Sequence, residues 1–327
     1  MDSYYISWWN MENLFDTENS SWRPAYLQQR LENELAGWSQ EVLDQKLTQL
    51  ARIIMKMNMG QGPDLIGVCE VENEVVLDQL VAKLDPLGRN YGAAHHDTSD
   101  NRGIDIAFIY DMDLFTLEHQ YHYVVLKRSA TRDIFQINMK TGHGHDLIVI
   151  GNHWPSRSGG KYPSEPFRII AAETLAYWME RIQSIRGSDI PVVVMGDFND
   201  ECFNRSIMEY ALGTNSVQKV INSRSPRLYN LMWPLDGDGQ GTFYYNNFPH
   251  VLDQFMVSKG FFLSDTPLRL GKFPEGESAK IELFDEMISS GDYRDPIRFG
   301  RPAGGEFNPE TGYSDHYPIS MRLVEER

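Results

Sequence analysis

The sequence predicts an α+β fold in which a largely antiparallel sheet system is flanked by helices. Two observations carry that reading. Four apolar runs, Ile104 to Tyr110, Tyr121 to Leu126, Ile134 to Met139 and Leu147 to Asn152, follow one another through short turns such as Tyr110-Asp111-Met112-Asp113 and Thr141-Gly142-His143-Gly144. Connections that short force antiparallel pairing, because a parallel crossover needs about a dozen residues or more. Two further stretches step by threes and fours, so each has one apolar helical face: Leu43, Leu47, Leu50, Ile54 and Met57, and then Phe167, Ala171, Leu175, Trp178 and Ile182.

Taken in chain order, Tyr4 to Trp9 reads as the first strand. Ser39, with Glu41 in the first turn, caps the first helix. Leu65 to Cys69 is the next strand, followed by the four hairpin-connected runs. The second helix begins after Ser164 and Pro166, and Val192 to Met195, Phe255 to Val257 and Tyr317 to Leu323 complete the strands. The stretches 200–250 and 260–312 are rich in Gly, Pro, Asn and Asp and read as long loops around the ends of the scaffold.

Composition narrows the function. With 327 residues, 41% of them hydrophobic and 23% charged, the chain can bury a sizeable core. Acidic residues outnumber basic ones 46 to 30, a net charge of −16, which opposes broad adhesion to nucleic acid or anionic membrane through bulk charge. A phosphate partner must be met locally, by a few arginines or a metal. Cys69 and Cys202 are too few and too isolated for a disulfide framework or a zinc site, and read as buried thiols. No apolar run is long enough for a transmembrane helix. Met1-Asp2-Ser3-Tyr4 enters a strand at once and leaves no room for a signal peptide, so the sequence as it stands reads as soluble and cytoplasmic; it would read as exported had a leader been removed.

The chemistry sits where apolar runs stop abruptly in polar groups. Five segments do so: Trp8-Trp9-Asn10-Met11-Glu12-Asn13, Ile66-Gly67-Val68-Cys69-Glu70, Gly151-Asn152-His153-Trp154-Pro155-Ser156-Arg157, Val193-Val194-Met195-Gly196-Asp197-Phe198-Asn199-Asp200, and Gly312-Tyr313-Ser314-Asp315-His316-Tyr317-Pro318. Singly, each has a plain reading: Asn10 a turn residue, Glu70 a solvated strand end, Asp197 and Asn199 an Asx-turn, His153 and His316 structural histidines. Together they offer hard oxygen ligands, amides and two imidazoles, the groups a phosphate ester needs for charge neutralisation and an activated water.

On these segments the sequence resembles the endonuclease/exonuclease/phosphatase superfamily, the deoxyribonuclease-like group. Gly196-Asp197-Phe198-Asn199 and Ser314-Asp315-His316-Tyr317-Pro318 are the most specific parts. Trp9 to Asp16 and Asn152 to Arg157 look like a bacterial branch, and the match runs in order from Trp8 to about Leu323. The resemblance implies a four-layer α/β/β/α sandwich with two mixed, mainly antiparallel sheets, in a single domain over residues 1–327. It also implies Mg²⁺- or Mn²⁺-dependent cleavage of phosphate esters.

Chemically, Glu70 can supply a hard ligand to such an ion. Asn10 can orient Glu70 or a water without adding charge, and is also a candidate ligand beside Asp197. Asp197 and Asn199, two apart on a strand end, are expected on one face, one taking a proton from water and the other donating to a phosphate oxygen. His316 can act as base or as donor to developing charge. By the resemblance, Asp253 orients His316, Asp315 is a second metal position or holds a metal-bound water, and His153 is a second catalytic histidine. Asp105 is a candidate partner for His153. Arg102, Arg157, Lys161 and Arg168 form a local basic set on or beside the site loops, the first three as phosphate ligands, with a solvated first-turn position the plainer reading of Arg168.

These residues point first to a nuclease, an endonuclease hydrolysing phosphodiesters of nucleic acid. A phosphatase or phosphodiesterase for phosphoinositides, sphingomyelin or small phosphorylated metabolites would use the same machinery, since surrounding loops choose the leaving group. A binding protein that has kept the fold without the chemistry is disfavoured, because the metal and histidine positions are all occupied. The sequence offers no obvious protein partner.

Overall fold

A computed structural model describes residues 2–326. Sixteen strands are formed among them: β1 (Asp2–Leu14), β2 (Leu65–Val71), β3 (Tyr91–His95), β4 (Asp105–Asp111), β5 (Phe115–Tyr123), β6 (Ile134–Thr141), β7 (Asp146–His153), β8 (Val192–Asp197), β9 (Gly213–Thr214), β10 (Leu228–Asn230), β11 (Phe243–Tyr245), β12 (Phe248–His250), β13 (Asp253–Val257), β14 (Leu268–Leu270), β15 (Ala279–Ile281) and β16 (Ile319–Glu325). The helices are α1 (Ala25–Leu31), α2 (Gln40–Gly60), α3 (Glu74–Lys83), α4 (Lys161–Arg186) and α5 (Val217–Asn222).

One sheet runs β14-β16-β1-β2-β4-β3 with β15 also on β16; the other runs β5-β6-β7-β8-β13-β10-β9. Pairing is antiparallel except for β1 with β2, β7 with β8 and β9 with β10. The expected four-layer sandwich with two mixed, mainly antiparallel sheets is the one observed. Strand alternation shows how the layers close. In β8, Val193 and Met195 join the core shared with the first sheet, whereas Val192 and Val194 pack against Ala171, Leu175 and Met179 of α4. On the other side, Leu43, Leu47, Leu50 and Ile54 of α2 bury the apolar face read from the sequence. Ser39 caps α2, its hydroxyl accepting from the Val42 amide.

Several elements differ from expectation for physical reasons. β5 runs from Phe115 to Tyr123 and not from Tyr121 to Leu126: it is an edge strand whose residues 118–122 are all exposed, so it has no alternation to read, and Val124 and Leu126 lie outside it on the surface. β3, built on Tyr91-Gly92-Ala93-Ala94-His95, lacks the β-branched residues that announce a strand. α3, capped by Asn73, was hidden behind its short length. α4 starts at Lys161, ahead of Pro166. The stretches expected as loops carry short strands: β9 and β10 extend the second sheet, β11 and β12 form a hairpin, and β14 and β15 pair with β16. No helix among the described residues is long and apolar enough to cross a membrane.

Candidate active site

The five polar strand ends meet at one end of the sandwich. Adjacent β7 and β8 place His153 opposite Asp197, and β13 places Asp253 opposite Asp197 on the other side. From the facing sheet, β1 and β2 bring Asn10 and Glu70. Close approach here depends on glycine. A Cβ on Gly196 would stand 2.3 Å from the Asn152 carbonyl oxygen, and one on Gly67 2.7 Å from Trp8 on the neighbouring strand β1 and 2.7 Å from Met195 across the interface between sheets. Where the strands stop, the backbone turns left-handed at non-glycine residues: φ is 49° at Glu12, 58° at Asn13, 65° at Glu70 and 50° at Asn199. Such strain clusters where surrounding structure holds a functional side chain in place.

Asp197 is the hub. Its Oδ1 accepts from the Asn199 backbone amide at 2.9 Å, and its Oδ2 accepts from the Asn10 side-chain amide at 3.2 Å. The same Oδ2 lies 3.7 Å from His153 Nε2 and 3.9 Å from His316 Nε2. Burial, then the neighbouring Asp253 charge, push its carboxyl up to about 7 against the pull of His316. Asp253, fully buried, accepts from His316 Nδ1 at 2.7 Å and from Trp8 Nε1 at 3.0 Å, so the two residues of the expected pair are in contact. For His316, burial works against the charge, yet Asp253 and Asp197 raise it to about 10 and so favour the imidazolium.

Glu70 Oε2 accepts from the Asn13 amide at 2.8 Å, while its Oε1 lies 3.4 Å from Arg102 and 3.8 Å from His153 Nε2. Burial disfavours its charge, but Arg102, Arg132 and the Asn13 amide outweigh this and keep it ionised. Arg102 also donates to the Asn13 side chain. His153 is held well below its usual range by burial and by Arg132 and Arg102.

Several expectations are revised by geometry. Asn10 holds Asp197, not Glu70. The Asn199 side-chain amide donates to the Trp154 carbonyl at 3.1 Å, so it braces the strand-end turn. Asp105 bonds the Thr98 hydroxyl and does not pair with His153, whose Nδ1 has no hydrogen-bond partner among the described residues. Arg157 is bound within the following loop, donating to the Asn199 carbonyl at 2.7 Å and to Asp200, Glu201 and Asn204. Lys161 pairs with Glu201 at 3.2 Å. Arg168 is fully buried against Asp200 at 2.7 Å and is no solvated residue. Asp315 stays partly exposed, 3.6 Å from Arg298, at the rim and outside the Asp197–Asp253–His316 cluster.

Two residues were missed. Arg132, buried just ahead of β6, reaches His153 Nε2 at 3.3 Å; a lone arginine before a strand carries no motif. Glu12, 1% exposed, accepts from Arg298 and from the backbone amides of Phe299 and Gly300, and Lys46 lies 3.9 Å away while donating to the Tyr313 carbonyl at 2.7 Å. This hub ties the end of β1 to the segment that delivers Asp315 and His316. The donor set fits a hard dication. Buried carboxylates of Glu70 and Asp197 both face His153 from within 4 Å, an oxygen-bearing pair of the kind a hard dication takes.

A family model described as the endonuclease/exonuclease/phosphatase family matches residues 5–325. No curated protein matches the chain by sequence. Among solved structures, a mannosyl-6-phosphatase of Bacteroides thetaiotaomicron superposes with a TM-score of 0.58 at 16% identity, over 98% of this chain and 99% of that one. The human Nocturnin catalytic domain gives 0.55 at 17%, over 99% and 95%, and truncated Caenorhabditis elegans TDP2 gives 0.55 at 15%, over 99% and 98%.

Proposed function

The chain belongs to the endonuclease/exonuclease/phosphatase family, and from that premise we propose that it is a divalent-metal-dependent phosphodiester hydrolase, a nuclease cutting P–O bonds by in-line attack of water. The observation that carries this reading is the convergence on Asp197 Oδ2 of Asn10, His153 and His316, with Glu70 beside them. Glu70, with Asp197 and Asn10, would hold Mg²⁺ or Mn²⁺, which supplies charge neutralisation and a Lewis acid at the phosphate. Asp197, within 4 Å of both imidazoles and held by Asn10, is placed to orient the attacking water and take its proton. His316, as an imidazolium, donates to a phosphate oxygen as charge builds, and Asp253 keeps its ring in register. Arg102 and Arg132 add fixed positive charge, while His153 stays neutral beside Arg132.

A second reading, a phosphatase for small phosphorylated metabolites, is favoured by one observation: Arg157 and Lys161, expected to meet a polyanion, are occupied in internal ion pairs. One neighbour of the same fold is described as a mannosyl-6-phosphatase. The test is hydrolysis of plasmid DNA, RNA, bis(p-nitrophenyl) phosphate and a panel of sugar phosphates with and without Mg²⁺ or Mn²⁺. Turnover should require the ion and fall by about 10²–10⁴ in Asp197→Ala and His316→Ala. Wild-type rates in those variants would overturn the site; turnover of sugar phosphates alone would select the second reading.

A further inference from the structure

Beside the active site, the outer edges of the two sheets meet in a second cluster of metal-binding groups. His96 follows β3, the edge strand of the first sheet, and His122 lies in β5, the edge strand of the second. Asp133 directly precedes β6. One ligand atom from each of the three lies within 4.8 Å of the other two. His122 Nδ1 stands 3.4 Å from an Asp133 oxygen. That is about the ligand-to-ligand separation set by a tetrahedral ion with bonds of about 2.1 Å.

Charge points the same way. The Asp133 side chain is 7% exposed, and no lysine or arginine contacts it among the described residues. Arg132 next to it turns instead toward Asp100 and His153. A nearly buried carboxylate facing two imidazoles, with no permanent cation, has room for one.

We propose that His96, His122 and Asp133 bind a transition-metal dication of the zinc class, bridging the two sheets at a site separate from the hydrolytic centre. Two imidazoles and one carboxylate select zinc, nickel or copper over Mg²⁺, which prefers oxygen ligands. The two rings stack at 3.6 Å with planes 18° apart. Parallel rings cannot aim both lone pairs at one ion, so binding opens the stack. His122, with 48% of its side chain exposed, has space to turn.

The test is a titration of chelator-stripped protein with ZnCl₂ in millimolar MgCl₂, read by competition with a chromogenic chelator and by the visible spectrum of Co²⁺. Wild type is expected to bind one Zn²⁺ more tightly than micromolar, and His122→Ala and His96→Ala to lose that equivalent while keeping the wild-type circular dichroism and Mg²⁺-supported hydrolysis. Equal zinc stoichiometry and affinity in wild type and His122→Ala would overturn the proposal; that variant, altered on a half-exposed edge strand, decides it without the other. Zinc stoichiometry is read independently of turnover, so failure of the hydrolase reading leaves this outcome distinct.

Discussion

In the proposed mechanism a charged His316 leaves Asp197 to move the proton. The folded value of His316, about 10, stands well above the unfolded imidazole, near 6.5. The pairing with Asp253 therefore contributes fully below about pH 6.5 and is lost as pH rises through about 10. Asp253→Asn removes the first-named source of that stabilisation. The alkaline limb of kcat/KM should then move down by at least about one unit, with kcat lower by about 10²-fold or more. A limb that stays in place would remove the Asp253–His316 pair from the reaction. The arginines divide by a similar logic. Arg132 faces His153, whereas Arg157 ties down residues 199–204. Arg132→Ala should lower kcat by about 10–100-fold with a modest change in Tm. Arg157→Ala should lower Tm, leaving kcat within about threefold, because it strands buried acceptors away from the phosphate. Reversed outcomes in melting and steady-state kinetics would restore Arg157 as the phosphate ligand.

At the scale of elements, the site exists because strands end where they do. β7 and β8 run parallel with Gly196 beside Asn152, and the 2.3 Å clearance to a carbonyl leaves nothing flexible to yield. Gly196→Ala should destabilise by about 1–3 kcal/mol in urea unfolding, while Gly142→Ala, with its nearest atom 3.8 Å away, should stay within about 0.5 kcal/mol. Equal effects would mean that this approach does not constrain the fold. Legibility follows burial. β8 and α2 were readable because a face buried on a fixed period leaves that period in the sequence. β5 was misplaced because an exposed edge leaves none, and β3 was lost in small residues. In the site, residues within motifs at strand ends were legible, and Asp253 with His316 came together as the resemblance implied. Arg132 and the pairing of Asp105 were not, since a contact between separate strand ends has no spacing to betray it.

Across the whole molecule, acidic charge and the proposed phosphate chemistry are reconciled by where the cations are. Of the basic residues named near the site, Arg157, Lys161 and Arg168 are satisfied by Asp200 and Glu201, and Arg298 by Glu12 and Asp315 at the rim, while Arg102 and Arg132 face Glu70 and His153. A net charge of −16 then works against any long polyanion beyond the scissile phosphate. Salt dependence makes this quantitative, because each phosphate neutralised by protein cations adds about −0.9 to the slope of log affinity against log salt on duplex DNA. Two arginines set a slope no steeper than about −2. KM for a short duplex should accordingly rise by less than about 20-fold between 50 and 200 mM NaCl at fixed Mg²⁺, and KM for bis(p-nitrophenyl) phosphate should rise less. A slope of about −4 or steeper would require a cationic surface beyond these two arginines, and would return the polyanion to first place among substrates.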